Sequence, residues 1–172
     1  ESAVFHSPIS TGSRMPLYHA QFAQAALDKL FADCDGDASC KTNFPLLKKE
    51  FNELMRRGKK KPFNIVHTLS DGSKTDLSIS WDAFQTKIRS LMYQPRTLRQ
   101  IPFIIHQTYQ GNWKPFVSLY SEKGSSSDFS AEGLYLSVVC AEDVPFITKR
   151  EAKRLTKNTF MGMYRIEQQQ TA

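Results

Sequence analysis

The chain has 172 residues, 40% of them apolar and 12% aromatic, which is enough to bury one respectable core but would make two compact domains cramped. Its net charge of +6 and sequence pI near 9.3 favour anionic partners, yet 17 acidic residues are interspersed among 23 basic ones, which argues against a surface dedicated to nucleic acid. No run of about 18 uncharged apolar residues occurs, and Glu1 has no basic-then-apolar leader behind it, so the sequence predicts a soluble chain with no membrane span and a trimmed N-terminus.

In chain order, residues 1–15 read as an opening loop and 16–62 as helices around a cysteine loop. Pro16 opens a helical pattern that places Phe22, Ala26, Leu27, Leu30 and Phe31 on one face and ends near Cys34, with Asp35 and Gly36 as the stop. Cys34 and Cys40 bracket a polar loop short enough to fold back and join the two sulfurs. Such a disulfide implies an oxidising, exported location, periplasmic or extracellular; the alternative is two reduced thiols in the cytosol. Phe44, Leu47, Phe51 and Leu54 then repeat at helical spacing, and Gly58 punctuates the end. The basic run Arg56-Arg57-Gly58-Lys59-Lys60-Lys61 suits the carbonyl end of that helix better than a nucleic-acid or lipid patch.

Over 63–81 the period changes to two. Phe63, Ile65, His67 and Leu69 alternate, then Leu77, Ile79 and Trp81, with Asp71-Gly72 between them, so a β-hairpin is expected. His67 on the apolar register reads as a packed histidine rather than a ligand or base. Helices follow over 82–123: Ser80 or Asp82 starts one carrying Phe84, Ile88, Leu91 and Met92. Leu98, Ile101, Ile105 and Tyr109 outline another that must begin near Pro102 or kink there, closed by Gly111. Trp113, Phe116 and Tyr120 keep helical spacing, so core packing is preferred to pocket lining. A flexible loop over 124–132 contains Gly124-Ser-Ser-Ser127. In 133–172, the run Gly133–Phe146 reads as a buried strand or helix end that delivers Glu142 and Asp143. Thr148 and Glu151 have capping-box spacing, and a final helix runs from about Phe160 to Gln170.

Catalytic signatures are missing. A serine nucleophile on a sharp strand-to-helix elbow needs Gly-x-Ser-x-Gly, and Ser73, in the hairpin turn after Gly72, lacks the second glycine. No phosphate loop, His-Glu-x-x-His helix or Cys-x-x-Cys pair occurs, and His6, His19, His67 and His106 lack the paired spacing of zinc ligands. No catalytic residue, metal or cofactor is therefore assigned. Glu142 and Asp143 would point to opposite sides of an extended segment and make a poor acid–base pair.

An ordered set of landmarks remains: Ala26-Leu-Asp-Lys-Leu-Phe-Ala-Asp-Cys34, Cys40, Phe44-Pro45, Glu50-Phe51, Leu91-Met-Tyr93, Ile101-Pro102 and Gly133 to Pro145. Together they resemble the cap, or lid, of α/β-hydrolases of the tripeptidyl aminopeptidase-like and proline iminopeptidase group. The likeness spans nearly the whole chain and is most specific at the Cys-x5-Cys loop before Phe-Pro and at Leu136-Ser-Val-Val-Cys-Ala-Glu-Asp143. It implies one mainly helical α+β cap lobe over 1–172, without the core sheet, whose partners are the catalytic core of a parent serine hydrolase and a peptide substrate. The nucleophile elbow would precede Glu1, and the catalytic Asp and His would follow Ala172. It further implies that Cys140 pairs with a cysteine soon after the end of this chain, and that cap carboxylates bind the substrate's α-ammonium group, Glu142 first and Asp143 second; the alternative reading is that the two cap the following helix or bond within the lid. The rival class is a free-standing helical module whose basic surface binds nucleic acid or a protein.

Overall fold

The computed structural model describes residues 2, 10, 12–69, 71–121 and 132–171. The Gly124–Ser127 stretch and the side chain of Tyr120 lie outside them. The described residues are mainly helical with a small two-stranded antiparallel sheet, as the periodicities predict. The chain divides into two compact units: Phe22–Ser125, and a second built from Glu1–Gln21 together with Ser126–Ala172.

Most of helix α1 (His19–Gly36) belongs to the first of these. Its buried stripe runs Ala23, Leu27, Leu30, Phe31 and Cys34, whereas Phe22 is 67% exposed and Ala26 is exposed too. At 100° per residue, positions 22 and 26 fall well off a stripe centred on Leu27, so the expected face was rotated. The helix starts three residues after Pro16, which sits in a turn.

Cys34 and Cys40 form a disulfide, their Cα atoms 5.1 Å apart. Asp37 fixes the loop by accepting a 2.7 Å bond from the Cys40 amide at the start of α2 (Ala38–Asn43). Helix α3 (Leu47–Gly58) buries Leu47, Phe51 and Leu54 as its spacing requires, and also Glu50. Strands β1 (Phe63–Thr68) and β2 (Lys74–Ile79) pair from Phe63↔Ile79 to Thr68↔Lys74, and every second residue is half-buried, His67 among them. Gly72, at φ +83°, turns the chain between them. Beside it the Asp71 carboxylate accepts bonds from the Ser73 hydroxyl and amide, which lower its pKa.

Ser80 caps α4 (Trp81–Leu91) through the Ala83 amide, and Trp81, Phe84, Ile88 and Leu91 are buried. Met92 is only half-buried and serves as the C-terminal cap. Pro95 opens the short α5 (Pro95–Leu98), and Pro102 lies in the first turn of α6 (Ile101–Tyr109), where no amide hydrogen is needed. Gly111, at φ +91°, lets the chain leave α6 for Trp113 and α7 (Lys114–Ser121).

These helices close on a run of aromatic rings. Phe51 meets Phe31 and Trp81, Trp81 meets Phe84, and Phe84 meets Phe63, Trp113 and Phe116, with centroids 4.9 to 6.4 Å apart. Gly58 belongs to this packing. Its backbone is not left-handed, and a Cβ there would stand 2.8 Å from the Phe63 ring and 2.9 Å from Trp81. The glycine expected to punctuate α3 is set by close approach.

In the other unit, Leu17, Ile147, Ala152 and Ile166 form a small buried core with Tyr18, Leu155 and Met163 against it. Arg14 ties its two segments together, donating to the Phe146 carbonyl at 2.7 Å and to both Glu151 carboxylate oxygens at 3.1 and 2.8 Å. Helix α8 (Glu132–Val138) continues into a wide π-helical turn, Val139–Asp143, and a tight 3-10 turn, Val144–Phe146. The expectation of a buried segment here is corrected. Leu134, Val138 and Phe146 are 40 to 66% exposed and only Val139 is buried, because a short apolar run does not by itself fix burial. Helix α9 (Lys149–Thr156) carries the full capping box of Thr148 and Glu151, and α10 (Tyr164–Gln170) reaches α8 through a bond from Gln169 to the Tyr135 hydroxyl. Phe160 is buried ahead of α10 rather than within it.

Candidate functional site

Glu142 and Asp143 lie in the π-helical turn, which widens the helix and rotates the side chains off α-helical spacing. Glu142 is exposed and Asp143 half-buried. The next helix, α9, is capped by Thr148 and Glu151, so neither carboxylate caps it. Among the described residues neither makes a side-chain hydrogen bond or ion pair. Two carboxylates without partners among the described residues can accept a cation. Cys140, two residues earlier, is a half-buried free thiol. Close by in sequence, Glu151 has its pKa held down to about 2, first by the hydrogen bond from Arg14 and then by that from Thr148, so it is a structural anion already engaged.

The Phe22–Ser125 unit holds a cleft of about 490 Å³ between the end of α3, strand β1 and the end of α6. Leu54, Phe63, Ile65 and Trp113 make its apolar wall, and Arg56, Arg57, Lys60 and Lys61 its charged rim. Arg56 and Arg57 both bind Glu53, at 2.6 and 2.8 Å, and hold the Glu53 carboxyl down to about 2, Arg56 contributing first. Arg57 also stands 5.2 Å over the Tyr109 ring, within cation–π range. Lys60 and Lys61 are exposed and form no ion pair among the described residues. Thr108 lines the same cleft, 2% exposed, with a buried hydroxyl that has no hydrogen-bond partner among the described residues. The basic run keeps its place at the helix end, Arg56 and Arg57 standing in the last turn of α3, and both arginines together with Lys60 and Lys61 also line the cleft.

A third arrangement escaped the sequence reading. Glu50, its side chain 8% exposed on α3, binds His106 of α6, with Nδ1 3.0 and 3.1 Å from the two carboxylate oxygens, while the Gln110 side chain meets the other ring nitrogen at 3.0 Å. This carboxylate–imidazole pair orients the ring, and it joins two helices that also pack against each other. No residue spacing announces it, since 56 positions separate its members. Among the described residues no group of three or more His, Cys, Asp or Glu side chains could hold a metal ion, and no helix is long and apolar enough to cross a membrane.

Neither family models, nor curated proteins, nor solved structures yield a match to this chain.

Proposed function

We propose that this chain is the substrate-gating and specificity cap of a serine hydrolase, an exopeptidase acting on peptides from their amino end, with the catalytic residues supplied by the parent protein's core. One observation carries the proposal. The stretch in which the likeness to the hydrolase caps is most specific, Leu136 to Asp143, is also where helix α8 widens and presents two carboxylates with no partner among the described residues. Widened turns of this kind recur at functional sites, where they re-aim side chains that a regular helix would point elsewhere.

Chain topology supports the same reading. The segments on either side of Phe22–Ser125 join in one unit, so the larger unit is an excursion from the smaller. The Cys34–Cys40 disulfide is compatible with an exported parent. Chemically, a cap carboxylate gains strength as closure excludes water, because an ammonium–carboxylate pair is attenuated far less in a low-dielectric site. The same closure commits the substrate to the core.

The test is kinetic, on the parent protein. Glu142→Gln should raise KM for substrates with a free amino terminus by about tenfold or more, the loss of roughly 1.4 kcal/mol. Amino-blocked ester substrates should be hardly affected. An unchanged KM for the free-amine substrates would sink the assignment of Glu142.

A further inference from the structure

The cleft at the ends of α3 and α6 belongs to the Phe22–Ser125 unit, the Glu142–Asp143 turn to the other, and the charge of the cleft is opposite in sign. We propose that it binds a small organic anion with a flat apolar body, its carboxylate or phosphate held by Lys60 and Lys61 and its body against Tyr109 and Trp113.

Charge, shape and an unpartnered polar group point the same way. The volume of about 490 Å³ falls in the range of small-molecule sites, which combine apolar walls with a few convergent polar groups. Among the described residues no acidic side chain lines the cleft. Four cations on its rim, less the one carboxylate of Glu53 that binds two of them, leave three positive charges. The carboxyl ends of α3 and α6 oppose an anion with only about half a charge each, so the cations prevail. Arg56 and Arg57 are held by Glu53, and Lys60 and Lys61 remain to meet the ligand. Phe63 and Trp113, centroids 4.7 Å apart, brace one another as a wall, and Tyr109, with the Arg57 guanidinium over its ring, adds a third ring at the rim.

Thr108 supplies the independent observation. A threonine inside a helix ordinarily donates its hydroxyl proton to the carbonyl four residues back. Thr156 does so to Ala152 at 2.8 Å, whereas the buried hydroxyls of Thr108 and Thr86 have no partner among the described residues, and of these two only Thr108 lines the cleft. Burying an unpaired hydroxyl is unfavourable, and at Thr108 the missing partner lies beside a cleft that a ligand could fill. A ligand oxygen entering the cleft would give the hydroxyl its partner through a small side-chain shift.

The experiment titrates the full chain with phenyl phosphate, benzoate, inorganic phosphate and benzyl alcohol, following heat and Trp fluorescence, and repeats it on the variants K60Q/K61Q and T108V. One or both aromatic anions should bind in the millimolar range or tighter. Preference between them tells phosphate from carboxylate. K60Q/K61Q alters only exposed side chains, so its unchanged melting curve should accompany at least tenfold weaker binding. T108V should weaken binding while raising the melting temperature, a combination that a merely structural threonine would not give. The proposal is overturned if benzyl alcohol binds as tightly as the anions, if inorganic phosphate binds as tightly as phenyl phosphate, or if K60Q/K61Q leaves affinity unchanged. It also fails if a single-stranded oligonucleotide binds with steep salt dependence while neither aromatic anion does.

Discussion

Replacing Gly58 with alanine perturbs the packing that gives the cleft its wall. The backbone there is ordinary, so the effect is steric: the new methyl would lie 2.8 Å from Phe63 Cε2, 3.0 Å from its Cζ, and 2.9 Å from Trp81 Cε3. Neither ring is free to retreat. Trp81 is 6% exposed and packed on Phe51 and Phe84, and Phe63 is braced by Trp113. Overpacking costs about 1–3 kcal/mol, and this arrangement belongs in the upper half of that range. Alanine returns up to about 1 kcal/mol of helix propensity, leaving a net loss of about 1–2 kcal/mol. In a chain of this length that lowers Tm by about 2–8 °C. Thermal and urea unfolding of G58A, followed by near-ultraviolet circular dichroism, should show both the loss and disturbed aromatic packing. Gly36 is the control: nothing lies within 4 Å of a Cβ built there, so G36A should be neutral or slightly stabilising. If G58A matched G36A, the argument that ring packing selects this glycine would be refuted.

Three further outcomes follow from the same structure. His106→Ala should destabilise by about 1.5–3 kcal/mol in urea titrations, because it leaves the buried Glu50 carboxylate without the imidazole that binds it; a change within about 0.5 kcal/mol would show that the pair is not held as described. Reducing Cys34–Cys40, or replacing both with serine, should cost about 2 kcal/mol for so short a loop, and an unaltered melting temperature would mean the bridge restrains nothing the folded chain does not already restrain. Glu151 has its folded-state pKa depressed from 4.5 to about 2, so its contribution is present above pH 4.5 and is lost as pH falls from there toward 2. Arg14→Gln should flatten that part of the acid-unfolding profile relative to wild type, and identical profiles would deny the Arg14–Glu151 link.

Local order was easy to read in this sequence. The spacing of Leu47, Phe51 and Leu54, the alternation through Phe63, Ile65 and His67, the place of Pro102 and the capping box at Thr148 each follow from short-range rules, and the corresponding elements form. The Cys34–Cys40 loop is equally local. What failed was whatever depended on distant neighbours. Phe22 and Ala26 looked like core because nothing in the sequence says which face of α1 meets partners, and Gly133–Phe146 looked buried because an apolar run carries no record of its surroundings. The cleft was invisible for the same reason. Its lysines follow α3 while Thr108 and Tyr109 end α6, and only tertiary packing brings them together. An orphan hydroxyl such as that of Thr108 has no sequence signature at all.

The most direct test of the cap proposal is to express the chain joined to its flanking sequence as one protein and to assay it beside the isolated chain on chromogenic aminoacyl and tripeptidyl substrates. Hydrolysis by the extended protein alone is the predicted result. Hydrolysis by the isolated chain, or by neither, would contradict it.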